Sequence, residues 1–395
     1  MAKQDVWVTG IGIVSCFGEG AEFHWNTLGA SPAPAPIVDC ETFKPYCVHP
    51  LPEMDWSKQI PRRGDQRQME NWQRLGTYTA GLALDDAGIK ENEELVSTMD
   101  LVVAAGGGER DLDVDASIMA DSLNRNDRDQ LLNDKLTVDL RPTLFLAQLS
   151  NLMAGNISIV HKVTGSSRTY MGEESAGITS IENAFKRISA GQSTHLLVGG
   201  AFNSERPDLL LSMELGSFVY RGDFVPILAR QAAGGGMITG TAGTFLVLES
   251  ADHAKSRGAK AYAKLSGVGS DLGPRDDAST AARMDTILDG LGAKPGMGVL
   301  SGASGYAQTT QLEYDALHRH LGDDAAIRAF TTMVGNPLEA NFPTGIALAA
   351  LAIHNQGFYA PFENAESESK SVPDALLVST IGHYRGEGFG LVEKI

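Results

Sequence analysis

Two consecutive glutamates stand where a strand runs into a helix, at a junction that could do chemistry. The stretch "YMGEESAGITSIENAF", residues 170–185, places Glu173 and Glu174 at the start of an amphipathic helix. Enzymes often hold a nucleophile at such a junction, because the amides and the dipole of a helix N-terminus stabilise negative charge. Two carboxylates in a first helical turn also have a structural role, worth about 0.3–1 kcal/mol each. Taken alone, the stretch favours that structural role.

Other motifs that could carry chemistry are incomplete. "TGIGIVS" lacks the third glycine of a dinucleotide-binding fingerprint. In "GEESAG", Ser175 is one step out of the G-x-S-x-G register of a hydrolase nucleophile. His318 and His320 are two residues apart on a predicted helix, so they face different ways and cannot share a metal ion. The three cysteines match no zinc spacing and are too few for a secreted disulfide framework. We therefore predict no cofactor and no metal site.

The elements that must position these residues alternate along the chain. Short apolar runs ending in small residues are separated by helical patterns, which indicates an α/β architecture with helices covering the sheets. The alternation continues past "GTFLVLES", so two α/β halves are favoured over one sheet. We place the divide near Ala251, giving an N-terminal half of residues 1–250 and a C-terminal half of residues 251–395.

Two helices bear directly on the glutamate junction and its surroundings. One is predicted to start near Arg67 and to end at Gly88, where a glycine stop is expected. The other follows the two glutamates. Its apolar residues recur at helical spacing and share one face: Ile178, Ile181, Phe185 and Ile188.

The bulk composition limits the partners and the location. The chain has 395 residues, 43% of them hydrophobic, and a formal charge of −17. Such a charge disfavours nucleic acid and anionic membrane as partners. No apolar run approaches membrane-spanning length, and the first residues lack the apolar region of a signal peptide. The expected location is the cytoplasm.

The segment "LFLAQLSNLMAGNISIVHKVTGSSRTYMGEESAG" resembles the β-ketoacyl-acyl-carrier-protein synthases of the thiolase-like superfamily. In that family a P-N-x-x-A-G-x-[IV]-S-I run precedes G-P-S-x-T and a strand that ends in A-C-A-[ST]-G. The N-terminal "VTGIGIVSCFG", the mid-chain "GTFLVLESADHAKSRGAKAYAKLSGVG" and the late "GFYAPFEN" are similar to family segments in the same order. The resemblance implies a thiolase-like fold, with two similar α/β halves in a layered α-β-α-β-α arrangement.

At the family's catalytic positions, this chain lacks the cysteine and the two histidines that the family uses. Alignment on the motif glycine places Glu174 where the family has its nucleophilic cysteine. Ser304 and Asn336 stand at the two positions where histidines normally assist decarboxylation, and neither side chain supplies a positive charge or a proton near neutral pH. In the closing glycine loop, which gates the acyl channel in the family, this chain has instead His383, Tyr384 and Arg385. The resemblance therefore predicts a subunit that does not condense acyl chains.

Such degenerate members pair with an active synthase, as the chain-length factors of type II polyketide synthases do. The resemblance thus implies a heterodimer with an active β-ketoacyl synthase subunit. It also implies an acyl carrier protein partner whose phosphopantetheine brings the chain to fatty-acid or polyketide elongation. Carrier proteins are acidic, so we expect them to dock on the less acidic subunit. Two alternatives stay open: a homodimeric synthase-like acyltransferase, decarboxylase or thioester hydrolase that uses Glu174 as base, and a binding module for acyl chains or carrier protein.

Overall fold

A computed structural model of the chain describes residues 3–369 and 372–395. The strands are β1 (Val6–Ser15), β2 (Gly18–Glu19), β3 (Val48–His49), β4 (Asp100–Ala104), β5 (Ser167–Tyr170), β6 (His195–Phe202), β7 (Thr239–Gly240), β8 (Ala242–Ser250), β9 (Ala263–Asp271), β10 (Gly298–Ser301), β11 (Ile327–Ala329), β12 (Ala375–Ile381) and β13 (Glu387–Glu393).

The helices are α1 (Ala21–Leu28), α2 (Arg63–Gln68), α3 (Asn71–Asp86), α4 (Glu93–Thr98), α5 (Leu112–Ser122), α6 (Arg128–Val138), α7 (Leu144–Ala147), α8 (Leu152–His161), α9 (Glu174–Ser189), α10 (Pro207–Leu215), α11 (Ile227–Gln231), α12 (Ala251–Ser256), α13 (Asp277–Leu291), α14 (Ala307–Leu321), α15 (Thr331–Val334) and α16 (Asn341–His354). Two short 3₁₀ turns cover Trp56–Lys58 and Leu338–Ala340.

One pattern of strands occurs twice along the chain. The order β5-β4-β6-β8-β1 in the first part matches the order β11-β10-β12-β13-β9 in the second. In each part the first three strands of that order are parallel, and the last two pair antiparallel. The α/β, thiolase-like fold expected from the sequence is thereby confirmed. The division into residues 1–250 and 251–395 stays a prediction.

The two strand groups are joined in one eleven-stranded sheet, while β3 and β7 form a separate two-stranded sheet. Val6–Val8 of β1 pairs with β8 on one side and with Leu265–Ala263 of β9 on the other. Since the first residues of β1 have both edges available, they hydrogen-bond the two strand groups into one continuous sheet.

Two central helices lie between the two groups of strands. Helices α9 and α16 pack on each other and on strands of both groups, while α3 and α8 cover the outside of the first group and α13 and α14 that of the second. The predicted apolar face of α9 is confirmed: Ile178, Ile181 and Ile188 are buried and Phe185 packs against the same core. The result is the layered α-β-α-β-α arrangement, with α9 and α16 in its middle layer.

The helix predicted from Arg67 to Gly88 is two helices. Chain direction changes at Met69 and Glu70, between α2 and α3, and Glu70 begins α3 with a reciprocal capping box that includes Gln73. The predicted stop is close to the real one, since α3 ends at Asp86 and Gly88 has a φ of 66°. The apolar pattern belongs to α3 alone, because none of the residues of α2 is buried.

The cysteines behave differently from one another. Cys40 and Cys47 form a disulfide, which the sequence analysis does not anticipate. Cys16 is a buried free thiol directly after β1, and burial raises its pKa to about 12. A thiol held protonated in this way is a poor nucleophile, so Cys16 does not substitute for a catalytic cysteine. Among the described residues, no helix is long and apolar enough to cross a membrane.

Candidate functional site

A sharp turn between β5 and α9 places Glu174 in the middle layer. Gly172 has a φ of 139° and Glu173 a φ of 58°, so the chain turns within two residues from strand to helix. Such values are uncommon outside glycine and are found at sites where the surrounding structure holds them. Glu174 follows as the first residue of α9 and is 1% exposed.

The Glu174 carboxylate is fully engaged by two side chains from distant parts of the chain. Asn336 Nδ2 donates to Oε1 at 2.9 Å, and His383 Nδ1 lies 3.0 Å from both carboxylate oxygens. Asn336 Oδ1 accepts in turn from Asn341 Nδ2 at 3.0 Å, and Asn341 Oδ1 accepts from the Thr380 hydroxyl at 2.8 Å. We call these five residues the Glu174 network.

Charge and burial act in opposite directions in this network. Burial alone would raise the pKa of Glu174, but the charge and hydrogen bond of His383 and the Asn336 amide hold that pKa below its usual value. Burial alone would lower the pKa of His383, but the Glu174 carboxylate raises it. Each of the two buried groups therefore stabilises the charged form of the other.

The structure joins some of the expected site residues and leaves one apart. Glu174, Asn336 and His383 meet, although 162 and 209 residues separate the latter two from Glu174 along the chain. Ser304 instead bonds the Thr309 hydroxyl and the Tyr306 amide, and among the described contacts it has none to the network.

Gly302 is the residue of the Ser304 loop that borders the network. A Cβ added at Gly302 would stand 2.0 Å from Asn341 Oδ1 and 2.7 Å from the Thr380 hydroxyl. A side chain at this position, directly after β10, would therefore displace the network.

His383, Tyr384 and Arg385 form the turn between β12 and β13 and line a pocket of about 380 Å³. Tyr384 is 61% exposed, whereas His383 is buried and its ring meets the Phe218 ring edge-on, 4.7 Å between centroids. His383 therefore stands between the pocket and Glu174. The sequence placed it only in a channel gate.

A smaller cavity of about 150 Å³ is lined by the two carboxyl groups of Glu173 and Glu339. The other lining residues include Trp72, Phe202, Asn203 and Arg206. Glu339 is buried, its Oε2 has no hydrogen-bond partner, and burial raises its pKa to about 8. Glu339 is not among the site residues predicted from the sequence. Its position three residues after Asn336, in the turn that precedes α16, is the signal that could have found it.

Glu173, Glu174 and His383 offer three donor atoms within 4.8 Å of one another. Within this cluster, the Glu174 carboxylate already holds His383 Nδ1 with both of its oxygens. Since the existing ion pair satisfies both groups, we assign no metal to this cluster.

The family is decided by comparison with known proteins. The model of the β-ketoacyl synthase N-terminal domain matches residues 3–254, well over half of the chain. The chain belongs to the β-ketoacyl synthase family. It is 26% identical over 275 residues to 3-oxoacyl-[acyl-carrier-protein] synthase 2 of Vibrio harveyi, covering 68% of this chain and 63% of that one. It is also 26% identical to the synthase of the same name from Rhizobium meliloti, covering 89% of this chain and 86% of the relative.

Solved structures show the same fold for this β-ketoacyl synthase family member. The ishigamide ketosynthase/chain length factor superimposes with a TM-score of 0.80 and 19% identity over the whole of both chains. A type II polyketide ketosynthase in complex with its acyl carrier protein superimposes with a TM-score of 0.73 and 19% identity, again over both full chains. In this β-ketoacyl synthase family chain, the junction of β5 and α9 presents a buried carboxylate.

Proposed function

We propose that this chain is the non-condensing subunit of a heterodimer with an active β-ketoacyl synthase, and that it acts in fatty-acid or polyketide chain elongation. One observation carries the proposal. The expected place of the nucleophilic cysteine holds Glu174, whose carboxylate is buried and bound by Asn336 and His383.

The chemistry of condensation argues against activity at this site. A carboxylate is a poor acyl acceptor because its product would be a labile anhydride, and the thiolate of the family is absent here. Asn336 supplies no proton or positive charge near neutral pH. We infer that Gly302, rather than Ser304, occupies the place of the other histidine, since Gly302 faces the network. Catalytic groups that act as a unit leave little activity when all are lost.

The cavity beside Glu339 supports the same proposal. An acyl chain needs an apolar channel, but this cavity carries two carboxyl groups, one of them without a partner for its second oxygen. Burying a chain against such groups is unfavourable. We infer that the growing chain is held by the partner synthase and that this subunit shapes the space available to it.

An exposed apolar surface offers a place for that partner. Large side chains in α5, α6 and the following segment to residue 171 are exposed, among them Met119, Leu123, Val138, Phe145, Ile159 and Met171. Strand β5, in the same segment, stands last in the order of the sheet. Exposed apolar residues beside a terminal strand are typical of a protein interface.

The charge of −17 favours docking of an acidic carrier protein on the partner rather than on this chain. The basic residues at Lys58, Arg62, Arg63 and Arg67 are the exception, because they lie close together before and within α2. A solvated loop explains them equally well. The carrier protein and a cytoplasmic location stay predictions.

Affinity purification of the tagged chain from its own host, followed by native mass spectrometry, tests the proposal. We expect a one-to-one complex with a synthase that carries an intact cysteine and two histidines. Leu123→Lys combined with Val138→Lys should abolish the complex, while Phe23→Lys, an exposed apolar residue of α1, should leave it intact. A homodimer or a monomer as the sole species would refute the proposal.

Product formation gives a second test. Glu174→Gln keeps the size of the side chain, so the heterodimer should assemble and form product at an unchanged rate. Loss of turnover in a correctly assembled Glu174→Gln complex would contradict a non-condensing role.

A further inference from the structure

His383 has one ring nitrogen in use and one free. Nδ1 is bound by Glu174, whereas Nε2 has no hydrogen-bond partner among the described residues, and the ring lines the 380 Å³ pocket. A carboxylate that holds one nitrogen of an imidazole fixes its orientation and increases the basicity of the other. The pocket therefore ends at an oriented acid–base group with a carboxylate behind it.

We propose that Glu174 and His383 form a dyad that activates water to hydrolyse acyl thioesters bound in this pocket. The inference goes beyond the proposed function and rests on it only for the substrate class, since the chains handled by a synthase pair are acyl thioesters. Glu174 is then a positioning residue and His383 the catalytic base. The sequence-based alternative had given the role of base to Glu174 itself.

The reaction balances without a cofactor or a protein nucleophile. Neutral His383 takes a proton on Nε2 from a water molecule, and the water oxygen attacks the thioester carbonyl carbon. The carbon–sulfur bond of the tetrahedral intermediate breaks, and the imidazolium returns the proton to the departing sulfur. The products are a carboxylic acid and a thiol. Such base catalysis contributes about 10²–10⁴-fold in rate.

Two guanidinium groups in the pocket wall can stabilise the negative charge that forms on the carbonyl oxygen. Arg275 Nη2 donates to the Gly382 carbonyl at 2.8 Å, and its buried Nη1 lies 3.4 Å from the Glu387 carboxylate. Arg275 therefore acts on the pocket through its charge rather than through a direct hydrogen bond. Arg385 lines the same pocket. The rest of the wall is apolar on one part, with Phe218 and Tyr306 in edge-on contact. The other part is polar, with Thr280, Gln308 and Thr309. Such a mixed lining suits an acyl chain joined to a polar pantetheine group.

The pH dependence follows from the groups that face the dyad. Burial lowers the pKa of His383, but Glu174 at the start of α9 and Glu173 just before it raise that pKa above its ordinary value, and Arg275 opposes them. Tyr306, Tyr384 and Arg385 complete the titratable groups of the pocket wall. Because neutral His383 is the base, the rate should rise with pH through a pKa above 6.5, the ordinary value.

The test is thiol release from hexanoyl-N-acetylcysteamine by the full-length chain, followed with a thiol reagent between pH 5.5 and 9. We expect release above the blank, at least a 100-fold loss in His383→Phe, and in Glu174→Gln a roughly 10-fold loss with the midpoint of the pH profile moved to lower pH. A merely structural role of Glu174 would lower the rate without moving that midpoint. His354→Gln, which changes an exposed histidine at the end of α16, should match the unsubstituted chain.

Each result decides the proposal. Release no faster than the blank, or an equal rate in folded His383→Phe, would overturn it. If His383→Phe does not fold, as judged by thermal melting, His383→Gln takes its place. Failure here leaves the heterodimer untouched, because complex stoichiometry is measured independently of hydrolysis.

Discussion

Glu174→Ala should lower the free energy of unfolding by about 3–5 kcal/mol, the usual effect of removing one member of a buried ion pair. The substitution removes the acceptor of the Asn336 amide and of His383 Nδ1 and leaves both groups buried. Urea denaturation of the full-length chain measures the loss. This is the largest single-residue effect on stability that we expect at the site.

The loss should depend on pH in a defined window. The lowered pKa of Glu174 gives stability that is present above about pH 4.5 and disappears as the pH falls through its folded value. The raised pKa of His383 gives stability that is present below about pH 6.5 and disappears as the pH rises through its folded value. The difference in the free energy of unfolding between the unsubstituted chain and Glu174→Ala should therefore be greatest between about pH 4.5 and 6.5.

Glu173→Ala is the matched control for this experiment. Glu173 is the adjacent, half-buried carboxylate, it makes no side-chain hydrogen bond among the described contacts, and alanine inherits the same positive φ. We expect a change below about 1 kcal/mol, typical of positions away from such networks. Equal losses in Glu173→Ala and Glu174→Ala would show that the network does not stabilise the fold.

Glu339→Gln should stabilise the protein increasingly as the pH rises from 4.5 to 8. The pKa of Glu339 is about 8 in the folded chain, against 4.5 as its ordinary value. Between those values the unfolded state loses its proton first, so the folded state is disfavoured by about 1.4 kcal/mol for each pH unit. Glutamine mimics the protonated carboxyl group and removes this penalty.

Urea denaturation at pH 5 and pH 8 measures the effect. We expect a gain of several kcal/mol at pH 8 and little change at pH 5. Burial also raises the pKa values of Glu313 and Glu366 to about 7, so both residues lower the free energy of unfolding as the pH rises. Because both residues are present in the unsubstituted chain and in Glu339→Gln, their effect cancels in the comparison. Glu41→Gln, an exposed glutamate, should give no pH-dependent gain. An equal difference at both pH values would mean that Glu339 is ionised when folded.

The strand-to-helix junction at Glu173 and Glu174 is predicted correctly because its signals are local. A strand, a glycine and an amphipathic helix follow within sixteen residues, and the burial of Ile178 and Ile181 agrees with their spacing. Asn336 was placed near Glu174 by family resemblance, and the two side chains are in contact. Local periodicity and motif order thus predict the fold, whereas the roles of the site residues stay predictions.

The partnership of Glu174 with His383 could not be read from the sequence, since it depends on where the β12–β13 turn folds back across the middle layer. The same holds for Glu339, whose carboxyl group differs from the others of the site only in that its second oxygen has no hydrogen-bond partner. The joining of β1 to β9 is likewise a matter of three residue pairs between distant strands. Non-local contacts of this kind leave no periodic trace.

Helices α9 and α16 bind the two strand groups into one cooperative unit. Each packs on strands of both groups, and the Glu174 network ties α9 to α16 and to β12. Neither group can open without exposing the apolar face of a helix that the other also covers. Unfolding should therefore proceed as a single transition, and amide hydrogens in α9 and α16 should exchange only through global opening.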